Sequence, residues 1–153
     1  MEKGIKVVAR NKKAQHDYFI LETFECGIVL TGTEIKSIRA SKVSIQDAYC
    51  YVKNEELIIV NMHIAKYDHG NIFNHEETRD RKLLAHKKEI RKLMGRSTQE
   101  GLTIVPLEVY ITHGLAKVKI ALVKGKKQYD KREDMKRQAV NKEIAKNLKG
   151  YRY

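Results

Sequence analysis

Through the first two thirds of the chain, apolar and polar residues alternate with a period of two, which commits those segments to strands that bury one face. In "YFILETFECGIVL", Tyr18, Ile20, Phe24, Cys26, Ile28 and Leu30 fall on one side, with Glu22 the exception. In "DAYCYV", Ala48, Cys50 and Val52 alternate with Asp47, Tyr49 and Tyr51; after the polar turn "KNEE", the segment "LIIVNMHI" places Ile58, Val60, Met62 and Ile64 together. Two more strands are expected in "TIVPLEVYIT" and "KVKIALV", and the lone proline, Pro106, belongs at a sheet edge or a bulge.

Two helices interrupt this pattern. "TGTEIKSIR" carries the Thr31-x-x-Glu34 spacing of a capping box, with Ile35 and Ile38 three apart. A longer helix is expected from Arg79 to Met94, with Leu83, Ile90 and Leu93 as its apolar stripe. Five or six short antiparallel strands and a plugging helix predict a mainly β fold: a small, closed or nearly closed barrel of the OB type, with two or three short helices and one core. No internal repeat is visible.

The 153 residues suffice for one such domain and an appendage, residues 1–123 and 124–153. The appendage begins at "KGKKQYDKRED", straight after the last strand, and is mostly charge. Its stripe of Val140, Ile144 and Leu148 is too thin to bury alone, so a tail disordered when free and helical on a partner is expected. The net charge of +12 is unevenly placed. Residues 79–96 hold 8 Lys+Arg against 2 Asp+Glu, residues 124–153 hold 11 against 4, and the rest of the chain sums to −1. Two localised cationic segments point to a polyanionic partner, with phosphates displacing condensed counterions.

Other function classes find little support. The two cysteines, Cys26 and Cys50, are too few for a disulfide or zinc framework and fit small buried residues in a reducing cytoplasm; no secretory leader or membrane-spanning run is seen. His63, His69 and His75, near Asp68 and Glu76, raise a metal nuclease, but their spacing matches no compact zinc pattern and suits a loop packed by its own side chains. Glu25 and Glu34 could act as acid and base, although hydrogen bonding to a base edge or pairing with an arginine suits a basic chain better. Tyrosines interleave with lysines instead: Tyr18 follows Lys12 and Lys13, Tyr67 sits in "AKYDHG" and Tyr129 in "GKKQYDKR". Such rings stack on bases while lysines hold phosphates, which favours a non-enzymatic binding protein. Tyr18 fits equally well in the core.

The blocks "NKKAQHDYFI", "FECGIVLTGTEIKSIR", "RDRKLLAHKKEI", "GLTIVPLEVY" and "KVKIALVKGKKQYDKR" resemble the SsrA-binding protein family, small protein B, the bacterial partner of transfer-messenger RNA, from Val8 to the end. The resemblance implies an OB-like barrel that binds the tRNA-like end of that RNA through Tyr18, Glu25, Leu84, His86 and Lys117, with Lys12, Lys13 and Lys119 beside them. It implies delivery to stalled ribosomes with elongation factor Tu and GTP, as a cytoplasmic monomer without cofactor. The tail would sense a vacant mRNA channel by placing Lys126, Lys127, Tyr129, Asp130, Lys131 and Arg132 near the decoding centre, on small-subunit rRNA. Ser41 and Ser44 stand where relatives often have Gly and Asn. A structural ribosomal protein of the OB type is the alternative.

Overall fold

The computed structural model describes residues 4–67 and 74–126. The chain runs β1 (Ile5–Arg10), α1 (Lys12–Asp17), β2 (Tyr18–Ile28), α2 (Gly32–Arg39), β3 (Val43–Ser44), β4 (Tyr49–Lys53), β5 (Glu56–Val60), β6 (His63–Ile64), β7 (Arg81–Leu84), α3 (Lys87–Glu100), β8 (Thr103–Thr112) and β9 (Leu115–Gly125). Seven strands lie in the order β1-β8-β4-β5-β7-β2-β9, and a further β8–β9 pairing closes β8, β4, β5, β7, β2 and β9 into a ring. Closure removes the free edges that an open sheet would leave. The expected antiparallel barrel is present. β1 pairs on β8 outside the ring, and β3 with β6 forms a separate two-stranded sheet.

Inside the ring, Phe24, Cys26, Leu57, Ile59, Leu83, Ile120 and Leu122 form one core, joined by Ile38 of α2 and by Ile90 and Leu93 of α3. Burying such side chains stabilises by about 1.5–3 kcal/mol each. β9 does not alternate at its centre because both of its faces are covered there. Ala121 and Val123 pack outward into a second cluster with Ala14, Val105, Leu107 and Tyr18, which α1 roofs over.

α2 begins as its sequence predicts. The Glu34 N–H donates to Thr31 Oγ1 at 3.4 Å, and the Thr31 N–H donates back to Glu34 Oε1 at 2.8 Å. The same carboxylate holds the barrel together. Glu34 is 0% exposed and accepts from Arg79, through Nη2 at 2.6 Å and Nε at 3.0 Å, and from Nε of Arg81. Arg81, also 0% exposed, donates its remaining nitrogens to the carbonyls of Met62 at 2.6 Å, Glu77 at 3.1 Å and Glu76 at 3.3 Å. Burial would raise the Glu34 carboxyl, but hydrogen bonds from Arg79, the Thr31 N–H and Arg81 outweigh it and hold it below its ordinary value. Burial in turn lowers Arg81, opposed by Glu34.

Four expectations need correction. Arg79 to Met94 is not one helix: Arg81–Leu84 is a strand and the helix starts at Lys87. Leu83 lies inside by the strand period, alternating with exposed Lys82 and Leu84, whereas Ile90 and Leu93 do form a helical stripe. In β2 a bulge between Ile20 and Glu22 shifts the register, leaving Ile20 39% exposed and only Phe24 and Cys26 of the expected face fully buried. "LIIVNMHI" is two strands broken at Asn61, whose φ is 61°, and Ile58 points outward while Leu57 and Ile59 point in. Nine strands occur among the described residues rather than five or six, including β1, in a segment not read as strand.

Other local readings hold. Pro106 sits at a bulge, where β8 slips against β9 before Glu108. Ser41 has a φ of 61°, a left-handed conformation that glycine adopts without steric cost. Among the described residues no helix is long and apolar enough to cross a membrane.

Candidate nucleic-acid interface

Register across the ring decides which outward side chains become neighbours. One row crosses four strands as Arg10, Glu108, Lys119 and Glu25, through the pairings Arg10 with Glu108, Glu108 with Lys119 and Lys119 with Glu25. The next row runs Tyr110, Lys117, Gly27 and Leu84. Glu25, Lys117, Lys119 and Leu84 therefore occupy one patch of the barrel wall, although almost a hundred positions separate the first from the last.

Glu25 and Leu84 each have a local setting that fixes how they are presented. Tyr110 is raised well above the ordinary phenol value, by burial first and then by its hydrogen bond to the Glu25 carboxylate. It remains a donor at neutral pH and fixes Glu25 in place. Leu84 is 50% exposed and leaves half of its apolar side chain open to solvent. Opposite it stands Gly27, where a Cβ would lie 3.4 Å from the Leu84 Cβ, so the glycine leaves one side of the leucine unscreened. A cleft of about 370 Å³ lined by Ile5, Thr23, Glu25, Tyr110 and Lys119 opens beside this patch. A second, of about 300 Å³ and lined by Arg10, Asn11, Lys12, Gln15 and Lys119, joins it through the shared lysine.

The remaining expected residues distribute around this centre. Lys12 lines the second cleft, while Lys13 reaches Asp47 at 3.5 Å. His86 is exposed just before α3, and its N–H donates to Glu89 Oε1 at 3.3 Å. Tyr18 lies seven positions before Glu25, roughly 20 Å along the strand, half-buried against the α1 cluster. Lys126 closes the last strand, its N–H donating to the Asp17 carbonyl at 2.9 Å and its Nζ standing 4.9 Å from the Phe19 ring centre. Lys127, Tyr129, Asp130, Lys131 and Arg132 lie outside the described residues, as do His69 and Asp68.

The cationic stretch 79–96 divides into paired and open residues. Arg79 and Arg81 are consumed by Glu34, Lys92 and Arg96 by Glu22, and Arg96 also by Glu100. Lys87, Lys88 and Arg91, at the start of α3 beside Leu84 and His86, are exposed and make no ion pair among the described residues. These three were not singled out by sequence reasoning, nor were Arg10, Glu108 and Tyr110. Local charge counting cannot tell a paired cation from an open one.

Of the histidines that raised a metal site, His63 and His75 lie among the described residues, and both have protein partners. His75 donates Nε2–H to the Ile64 carbonyl at 2.8 Å, so its Nδ1, when neutral, accepts from the Thr33 hydroxyl at 2.9 Å. His63 Nε2 meets Glu77 Oε2 at 2.6 Å. Among the described residues no group of three or more His, Cys, Asp or Glu side chains could hold a metal ion. Cys26 and Cys50 are free thiols in the core; burial, with Glu89 and Glu25 adding to it, pushes Cys26 up to about 12, which leaves it an inert thiol.

The sequence profile of the SmpB protein family matches residues 8–150. The chain belongs to that family. An SmpB relative named "SsrA-binding protein" from Shouchella clausii is 58% identical over 144 residues, which is 94% of this chain and 92% of that one. Another of the same name, from Enterococcus faecalis, is 54% identical over 147 residues, or 96% of each. Among solved structures, a chain from one described as "tmRNA-SmpB: a journey to the center of the bacterial ribosome" is 46% identical with a TM-score of 0.67, covering 90% of this chain and 94% of that chain. The mainly β barrel with three helices is thus the SmpB fold.

Proposed function

We propose that this protein binds the tRNA-like domain of transfer-messenger RNA through the outward patch around Glu25, Leu84, Lys117 and Lys119, and delivers it to stalled ribosomes for trans-translation. The observation that carries the reading is the convergence of those four side chains, from β2, β7 and β9, in a family whose relatives are named for SsrA binding. Lys117 and Lys119 supply phosphate contacts, and Glu25, held by Tyr110, accepts hydrogen bonds from base edges or ribose hydroxyls. Leu84 packs against an exposed sugar or base face. Lys87, Lys88 and Arg91 extend the cationic rim, with Lys12 at the opposite side and Tyr18 and His86 at the margins.

In this account the protein is a cytoplasmic monomer and works by binding alone, without cofactor or catalysis. Elongation factor Tu with GTP carries the aminoacylated RNA alongside it. Residues beyond Lys126 enter the mRNA channel, where Lys127, Tyr129, Asp130, Lys131 and Arg132 meet small-subunit rRNA at the decoding centre, and the tail becomes helical there. A channel walled by phosphates accepts a cationic segment only where the competing anion, mRNA, is missing, so vacancy is read by competition for one electrostatic site.

Titration of the tRNA-like domain at several salt concentrations tests the reading. With about six phosphate contacts, affinity should fall roughly a thousandfold over a fourfold rise in salt. Lys117→Ala with Lys119→Ala should lower affinity and make the log–log slope shallower by about two, one per lost contact. A flat salt profile, or a double variant with an unchanged slope, would refute the proposed interface.

A further inference from the structure

The outward rows do not stop at Leu84. Register carries them onward through β7 and β5 to β4: Leu84 is followed by Glu56 and Lys53, and the neighbouring row runs Val29, Lys82, Ile58 and Tyr51. Strand parity fixes the direction of the β4 side chains. Cys50 points into the core, so Tyr49 and Tyr51 point out, and they are 46% and 37% exposed. They sit on a rigid support, a hairpin closed by Asn54 and Glu55 with φ of 53° and 61°, the paired positive angles of a tight two-residue turn. Lys53 makes no ion pair among the described residues, and Lys82 reaches Glu56 only at 3.9 Å with its side chain 47% exposed.

We infer that Tyr49 and Tyr51 form a stacking platform for unpaired nucleotides of the same RNA, with Lys53 and Lys82 holding the flanking phosphates. The inference rests on the proposed function and extends its footprint across the barrel wall. By the arc through β2, β7 and β5, β9 and β4 are four strand spacings apart, about 19 Å, so the RNA is gripped at two separated places on one rigid body. Two rings two residues apart on one strand stand about 6.8 Å apart, twice the rise per residue, within reach of neighbouring unstacked bases. Continuity with the Lys117 patch and the surplus of lysines over glutamates along the rows favour RNA over a protein partner.

Stacking and phosphate contact leave different signatures. Tyr49→Thr with Tyr51→Thr keeps good strand formers at both sites and removes the rings; affinity for a transcript of the tRNA-like domain should drop by about tenfold per ring. The salt slope should stay that of the parent chain, because no phosphate contact is lost. Tyr49→Phe with Tyr51→Phe keeps the rings and should bind within twofold of the parent. The chain has no tryptophan, so Tyr51→Trp provides a single reporter whose emission should be quenched by the transcript. A threonine variant of parental affinity, with Lys117→Ala still weakened, would overturn the platform and leave the interface standing. Failure of the parent chain itself to bind the transcript would overturn both.

Discussion

Replacing Glu34 with glutamine is expected to destabilise the fold by about 3–5 kcal/mol, the scale seen when one partner of a buried ion pair is removed. The carboxylate pairs with two guanidinium groups, and one of them, Arg81, is wholly enclosed. Glutamine keeps the shape and one acceptor oxygen but leaves that cation in a low-dielectric interior without its counter-ion. The loss also spreads, because Arg81 ties the carbonyls of Met62, Glu76 and Glu77 to α2. The parent protein should share this weakness in acid. The folded carboxyl lies below its ordinary value of 4.5, so its contribution is complete above that value and is lost as the pH falls through the depressed one. Urea unfolding from pH 7 to pH 3 measures both effects. Glu34→Gln should start lower at pH 7 and decline less steeply below pH 4.5. Equal midpoints at pH 7 would show that the pair contributes nothing.

Removing residues 127–153 is expected to separate two activities. Binding to the tRNA-like domain should stay within a few fold of the full chain, because Glu25, Leu84, Lys117 and Lys119 all lie in the barrel and β9 ends at Gly125. Peptide tagging on ribosomes stalled without a codon should disappear. The segment removed carries 9 Lys+Arg against 4 Asp+Glu. That charge acts on any RNA, so its effect on affinity should be small at physiological salt, where exposed charges are screened beyond about 8 Å. A truncated chain that still supports tagging would remove the reason for the cationic tail. One that loses RNA binding outright would place the interface in the wrong part of the molecule.

Features written within a few residues were legible in the sequence, and those that depend on register were not. The α2 capping box needs only Thr31 and Glu34, three positions apart, and it formed as read. An arginine partner for Glu34 suits a basic chain, yet the two partners stand 45 and 47 positions away and nothing local names them. β7 was misread because its four residues, Arg81 to Leu84, are flanked by cations that also suit an exposed helix face; the tie between Arg81 and Glu34 pulled the segment into the barrel. The β2 face was misjudged because a one-residue bulge reverses every side chain before it. The same dependence hid the interface. Leu84 faces Gly27 and Lys119 faces Glu25 only once the strands are paired, and the β4 tyrosines join them only through β5 and β7.

The most direct test is the amide spectrum of the isotope-labelled, full-length chain titrated with the tRNA-like domain of transfer-messenger RNA at physiological salt. Division of labour between barrel and tail predicts shifts centred on Glu25, Leu84, Lys117 and Lys119, with signals from residues 127–153 unmoved. Shifts confined to residues 127–153, with β2, β7 and β9 unchanged, would contradict it.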